Sequence, residues 1–187
     1  GPATEAQRAI DMVKRVHTRV VGTADDGRPY SANDPHLLKW VHIAEVDSFL
    51  AAHAKFGEIE LSPEQRDGYV LDMSRIASAL GVIDPPTTIA ELADQIASYR
   101  PELRTSAPAR DAARYLLLTP PLPIYQRPIY GLLGAAAVSL MPLWTRFPLR
   151  LPWLPVSERT VVRPAAQTLT KTLRWALQPI PFIAPEQ

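Results

Sequence analysis

Apolar residues recur at three- and four-residue intervals along most of the chain, which is the spacing of amphipathic helices. Together with caps and glycine stops, this spacing predicts seven helices. They cover about 4–21, 35–56, 63–80, 88–99, 107–118, 128–140 and 157–178, the last kinked or restarted at Pro164. Residues 22–33 show no periodicity and are predicted to form a loop around an Asp26-Gly27 turn. The pattern therefore predicts an all-α fold, a single multi-helix globular domain over 1–187 with a proline-rich connector near 119–127.

The first two long helices each place histidine on an apolar face. In the first, Ala6, Ile10, Val13, His17 and Val20 share one side; in the second, Leu38, Val41, Val46 and Phe49 face inward, with His42 and Glu45 on the same side. Such a histidine is either a hydrogen-bonded core residue or a ligand to a metal or haem iron, and periodicity leaves both open. His42 with Glu45 is likewise either a core polar pair, a pair that orients a ligand, or part of a carboxylate-bridged metal site. His36 and His53 are expected near helix ends.

Composition removes several classes of function. The chain has 187 residues, 47% of them hydrophobic, which is typical of a globular protein. It contains no cysteine, so disulfides, thiolate metal sites and cysteine nucleophiles are excluded. No glycine-rich phosphate loop, nucleophile elbow or paired His-Glu zinc helix occurs. The basic residues form no dense run, and we expect no nucleic-acid partner.

Charge is divided unevenly along the chain. Residues 1–99 carry nine Lys and Arg against fifteen Asp and Glu, whereas 100–187 carry eleven against four. This is either an uneven soluble surface or a preference for acidic lipid or anionic ligand groups. Eighteen uncharged residues separate Arg127 from Arg146, fewer than the ~20 of a typical membrane span. We therefore expect a buried helix over 128–140 that lines an apolar ligand space, in a protein that is cytoplasmic or peripherally associated with a membrane.

Several sequence blocks together resemble the mpaB-type oxygenase family, which includes the catalytic domain of the latex-clearing rubber oxygenases. The blocks are Arg15-Val16-His17-Thr18-Arg19-Val20-Val21-Gly22, Gly27-Arg28-Pro29-Tyr30-Ser31-Ala32-Asn33-Asp34-Pro35, Trp40-Val41-His42, Ser48-Phe49-Leu50, Leu80-Gly81-Val82 and Leu173-Arg174-Trp175. The likeness spans nearly the whole chain. It implies an all-helical fold, one b-type haem and cleavage of isoprenoid double bonds with dioxygen.

The resemblance also implies roles for individual residues. His17 matches the axial ligand of the haem iron, and Val13 and Val20 on its face would line the cofactor. Arg15, Arg19 and Arg28 are candidate partners for the propionates. His42 and Glu45 would support the site without binding iron.

The chain departs from the family pattern in two places. Val21 stands where the family often has an arginine, four residues after the ligand histidine. We also expect that an upstream family segment with an arginine-threonine motif, on the distal side of the haem, is missing from this chain, so no catalytic residue is assigned.

The sequence therefore favours a haem b-dependent, oxygenase-type enzyme that uses dioxygen on a hydrophobic, isoprenoid-like substrate. One alternative is a non-catalytic helical domain that binds a lipid or another apolar ligand. Another is a haem protein that senses or stores and does not turn over.

Overall fold

The structure, a computed structural model, describes residues 2–119 and 121–177. Apart from loops and one short hairpin, this part of the chain is helical, and the predicted all-α class is confirmed. The elements are α1 (Pro2–His17), β1 (Val21–Thr23), β2 (Pro29–Ser31), α2 (Pro35–Phe56), α3 (Pro63–Leu80), α4 (Ile89–Tyr99), α5 (Ala107–Leu118), a 3₁₀ turn (Ile124–Gln126), α6 (Arg127–Leu140), α7 (Leu143–Arg146), α8 (Pro155–Ser157), a π-helical turn (Glu158–Val162) and α9 (Arg163–Ala176).

The chain forms two compact units. The first comprises residues 1–54 and 59–106, and the second comprises 55–58 and 107–187, each known through its described residues. α1, the hairpin, α3, α4 and nearly all of α2 belong to the first unit. The end of α2 and all elements from α5 onward belong to the second. The single-domain extent expected from the sequence stays a prediction.

The core of the first unit is built by α2, α3 and α4. Ile43, Val46, Val70, Leu92 and Tyr99 are buried and form one cluster, against which side chains such as Trp40, Leu50, Met73 and Ile96 pack. Burying each aliphatic side chain contributes about 1.5–3 kcal/mol. α2 is thereby held against both of its neighbours in the cluster.

The helix boundaries of α2, α3 and α4 follow the predicted signals. The side chain of Ser62 accepts from the Gln65 backbone amide, and the Gln65 side-chain oxygen accepts from the Ser62 backbone amide, which completes a capping box. Gly81 ends α3 with a φ of 107°. Thr88 caps α4 through the Glu91 amide, and Pro35 is the first residue of α2. These predictions are confirmed.

The prediction for α1 was wrong at both ends. The helix begins at Pro2, so Thr4 lies inside its first turn and forms no capping box with Gln7, which instead donates to Asp11 at 2.9 Å. It ends at His17, before the predicted stop at Gly22. A Thr-x-x-Gln pattern inside a helix is indistinguishable by sequence from one at its start. The predicted end of the last helix at Gln178 lies outside the described residues.

The predicted loop over 22–33 is in fact an antiparallel hairpin. Val21 pairs with Ser31, Gly22 with Tyr30 and Thr23 with Pro29. Gly27, with a φ of 82°, supplies the turn, in which the Ala24 amide donates to the Arg28 carbonyl at 2.8 Å. Strands of three residues are too short to show an alternating pattern, so periodicity could not detect them.

The predicted inward faces of α1 and α2 are only partly correct. On α2, Val46 is buried and Leu38 half-buried, but Val41 and Phe49 are exposed. Apolar residues lie nearly all around α2, so spacing alone does not select one side. On α1, Ile10 and His17 are half-buried, whereas Ala6 and Val13 are exposed; Val20, which lies beyond the end of the helix, is exposed as well.

In the second unit, α6 packs against α5, the π-helical turn and α9. Ala136, Val138 and Ser139 of α6 are buried, but Ile129 and Leu133 are exposed, so the helix expected to be buried is buried along its last turns only. Among the described helices, none combines the length and the apolar character needed to cross a bilayer.

The two glycines of α3 and its cap lead to opposite predictions for alanine. We expect Gly81→Ala to destabilise the fold by about 1–2 kcal/mol, because the left-handed backbone of Gly81 disfavours a residue with a Cβ. A steric clash adds nothing to this cost, since the added Cβ meets no atom closer than 3.7 Å. Gly68→Ala, inside α3 with open space around the added Cβ, should stabilise by up to about 1 kcal/mol. Urea denaturation of both variants measures the difference; equal effects would contradict the assigned conformation of Gly81.

Candidate functional site

Three side-chain atoms in the described part of the chain are enclosed and lack any hydrogen-bond partner: His17 Nδ1, His42 Nε2 and Gln95 Oε1. All three lie in the first unit. An enclosed polar atom without a partner costs about 1–3 kcal/mol, so each one calls for an explanation. Two of the three belong to the histidines that the sequence pattern placed on apolar helix faces.

His17 is the last residue of α1, and its backbone is held firmly. The final carbonyls of the helix are all capped by the next turn: Thr18 donates to Lys14 and Arg15, Arg19 to Val16, and Val20 to His17 itself, over 2.7–3.2 Å. The Ala32 amide then donates to the Val20 carbonyl at 2.9 Å, which fixes the segment to the hairpin. The imidazole is thus presented from a defined position, half-buried, with Nδ1 enclosed.

The surface around His17 is apolar and basic. Val13, Val16 and Val20, which flank it in sequence, are 37%, 54% and 44% exposed. Arg15 and Arg19 are exposed as well. Within the described residues neither of these arginines forms an ion pair, whereas Arg28 is held by Asp26 at 2.7 Å and its carboxylate partner has a lowered pKa because of that bond. Of the three arginines expected to contact propionates, Arg15 and Arg19 therefore have no ion pair within the described residues, and Arg28 has one.

His42 lies in the middle of α2 and is 7% exposed. Burial lowers the pKa of its imidazole below the ordinary value of 6.5, so the ring is neutral at pH 7. The hydrogen bond expected for a buried imidazole is not present at Nε2. A neutral imidazole with a free nitrogen can form a hydrogen bond or bind a metal.

Glu45 does not accompany His42 into the interior. It is exposed, and it lies near Tyr69, whose phenol pKa is raised by burial and secondarily by the Glu45 carboxylate. Within residues 2–119 and 121–177, no three His, Cys, Asp or Glu side chains come together as a metal site would require. The two remaining histidines are exposed: His36 pairs with Glu102 at 2.7 Å and stacks on Tyr99, and His53 lies near the end of α2.

Comparison with known protein families identifies one match. The family model described as the ER-bound oxygenase mpaB/B' and rubber oxygenase catalytic domain matches residues 1–175. The chain belongs to this family. The mpaB and rubber oxygenase family is one of oxygenase catalytic domains, so the chain is of oxygenase type. Searches of curated proteins and of solved structures found no match.

Sequence reasoning missed a polar cluster in the second unit of this oxygenase-family chain. Arg146 is 4% exposed and forms an ion pair with Glu158 at 2.7 Å, while its Nε donates to the Met141 carbonyl at 2.7 Å. Lys55 donates to the Ser139 carbonyl and hydroxyl at 2.8 and 3.0 Å. One signal was available: Glu158 is the single acidic residue between 112 and 185, where every other charge is positive.

Replacements of His42 separate packing from polar function. We expect His42→Ala to destabilise by about 2–4 kcal/mol, because a buried ring is removed. His42→Leu keeps the volume and removes the unpaired nitrogen, so it should stay within about 1 kcal/mol of the native protein in the absence of ligands. Chemical denaturation measures both; a leucine variant as unstable as the alanine variant would mean that the imidazole has a partner.

The lowered pKa of His42 predicts that the stability of the fold depends on pH. The folded pKa of His42 is depressed, so the unfolded state binds more protons below pH 6.5, and native stability falls as pH drops from above 6.5 toward the folded pKa. His42→Leu should lack this component of the decline. Denaturation at pH 7.5 and 5.5 tests it.

The ion pair between Arg146 and Glu158 predicts how the stability of the fold depends on pH in the acid range. Burial raises the pKa of Glu158, but the hydrogen bond from Arg146 and its charge outweigh this and leave the pKa lowered. The contribution is therefore present above the unfolded value and lost as pH falls from about 4.5 through the folded pKa. Glu158→Gln should lower the free energy of unfolding by about 3 kcal/mol at pH 7, since Arg146 stays buried without its countercharge. In this variant the free energy of unfolding should also depend less on pH below about 4.5. The exposed Asp94→Asn serves as control; equal loss in both variants would contradict the role of the pair.

Proposed function

We propose that this chain is a haem b-dependent, oxygenase-type enzyme that acts on a hydrophobic, isoprenoid-like substrate with dioxygen, and that His17 would be the protein ligand of the iron. The observation that carries the proposal is the unpartnered, enclosed imidazole nitrogen at the end of α1, on the residue that the family resemblance assigns as ligand. Membership in an oxygenase family supports the class of reaction.

The residues around His17 suit a haem. Haem b is a flat, mostly apolar body with two propionate carboxylates at one edge, and the exposed Val13, Val16 and Val20 offer apolar surface that such a body would cover. Arg15 and Arg19 would hold the propionates through charge-assisted hydrogen bonds. When bound, the haem would supply the oxygen chemistry.

The protein's own contributions are binding and positioning. The ring nitrogen of His17 that is not enclosed would bind the iron as neutral imidazole, and the enclosed Nδ1 would keep the proton. The capped end of α1 and the hairpin would hold that ring in one orientation. His42, neutral and buried in the same unit, would support the site without binding iron.

The test of the ligand is spectroscopic. The purified chain, reconstituted with haemin, should take up one equivalent and show a Soret band that shifts on reduction. His17→Ala should lose this band or bind haem at least tenfold more weakly while far-ultraviolet circular dichroism stays helical; the exposed His53→Ala is the matched control. Unchanged haem spectrum and stoichiometry in His17→Ala would overturn the assignment.

Turnover distinguishes an enzyme from a haem sensor or a lipid-binding domain. The haem-loaded protein should consume dioxygen in the presence of an isoprenoid hydrocarbon and release carbonyl products detectable by mass spectrometry. Haem binding without products would favour the sensor, and the absence of haem binding would favour the non-catalytic domain.

A further inference from the structure

The second unit contains a partly open, mostly apolar cavity of about 400 Å³. Its wall is formed by α5, by the small residues of α6 and by the segment from Leu149 to Val162. Leu117, Val138 and Leu151 supply apolar surface, and Gly131 and Gly134 leave the α6 side open. The volume falls in the range of small-molecule sites, ~300–1,000 Å³.

The charge on the cavity wall is positive. Arg114 and Arg150 line it, and within the described residues neither side chain forms an ion pair or a side-chain hydrogen bond. Glu158, the acidic member of the described lining, is occupied by Arg146 at 2.7 Å and by the Leu154 amide at 3.2 Å. Both arginines are exposed to solvent at the cavity, and they are left without a countercharge there.

Arg150 also has an unusual backbone. Its φ is +57°, a left-handed conformation that favours glycine and is costly for a residue with a Cβ. The conformation belongs to the turn that follows α7, in which the Leu151 amide donates to the Arg146 carbonyl at 3.0 Å. Glycine is the usual residue at such a position. An arginine here therefore carries a backbone cost that a glycine would avoid.

We infer that this cavity binds an apolar chain that ends in a carboxylate, such as a fatty acid, with the chain between α5 and α6 and the carboxylate at Arg114 and Arg150. Guanidinium groups bind carboxylates through paired, charge-assisted hydrogen bonds, and the apolar wall excludes fully polar acids. The inference does not rest on the proposed haem function, because every lining residue lies in the second unit and His17 lies in the first.

Calorimetric titration of the full chain with decanoate and with 1-decanol tests the preference for an acid. The two probes share an alkyl chain and differ in charge. We expect saturable binding of decanoate with one site, weakened by added salt, and binding of 1-decanol at least tenfold weaker.

Two arginine variants test the head-group contact. Arg150→Gly relieves the backbone and removes the guanidinium, so it should fold at least as stably and yet bind decanoate about tenfold more weakly. Arg114→Gln should act in the same direction. Arg159→Gln, an exposed arginine of the same unit that does not line the cavity, should leave the Kd unchanged within about twofold.

A glycine variant tests the chain-binding space. Gly131 lines the cavity, and a Cβ added there meets no atom within 4 Å, so Gly131→Leu should fold and fill the space. It should abolish decanoate binding, whereas Gly68→Leu, at an equally open helical glycine of the first unit, should not.

Three results would overturn the inference: 1-decanol binding as tightly as decanoate, an unchanged Kd in both Arg150→Gly and Arg114→Gln, or full binding in Gly131→Leu. Competition between haemin and decanoate provides a further test. We expect His17→Ala to bind decanoate normally; if one equivalent of haemin displaces decanoate from that variant, the cavity is a haem site and the inference fails.

Discussion

The ion pair between Arg146 and Glu158 is the interaction on which the second unit depends. Arg146 is almost fully buried, and its guanidinium reaches the end of α6 through the Met141 carbonyl and the π-helical turn through Glu158. Glu158 in turn accepts from the Leu154 amide at the start of α8. Three segments that border the cavity are therefore joined at one point. Replacing Glu158 by a neutral residue leaves the buried charge of Arg146 without its partner. The cost of about 3–5 kcal/mol is a large part of the stability of a domain.

The first unit distributes its polar groups differently. Its core is aliphatic and aromatic, and the helix ends are capped by Ser62, Thr88 and the hairpin. Against this background the unpartnered nitrogens of His17 and His42 stand out, because the backbone groups near His17 are well satisfied. An unpaired buried nitrogen is tolerated when a water, an ion or a ligand completes it or when a reaction uses it. This contrast is the reason that we propose a cofactor site in the first unit.

The sequence predicted the elements whose signals are local. Ser62 with Gln65, Gly81 and Asp34-Pro35 determine helix ends through contacts within a few residues, and they were placed correctly. The faces of α2 were not, because Val41 and Phe49 satisfy the same spacing as the buried Val46, and only tertiary packing decides between them. His17 and His42 could be singled out by pattern, but their missing hydrogen-bond partners could not. The Arg146–Glu158 pair joins residues twelve apart across a proline-rich turn, and no periodicity encodes such a contact.

The residues that carry the family resemblance around His17 have a physical reason to be what they are. Gly22 pairs with Tyr30, and a Cβ at position 22 would come within 2.6 Å of the Tyr30 hydroxyl, so a larger residue there would displace the tyrosine ring. Gly27 supplies the left-handed turn, and Ala32 returns its amide to Val20. These residues close the hairpin directly behind the end of α1. Much of this motif therefore forms the hairpin that ties down the backbone after His17, and a Gly22→Ala substitution would act first on the Tyr30 ring of that hairpin.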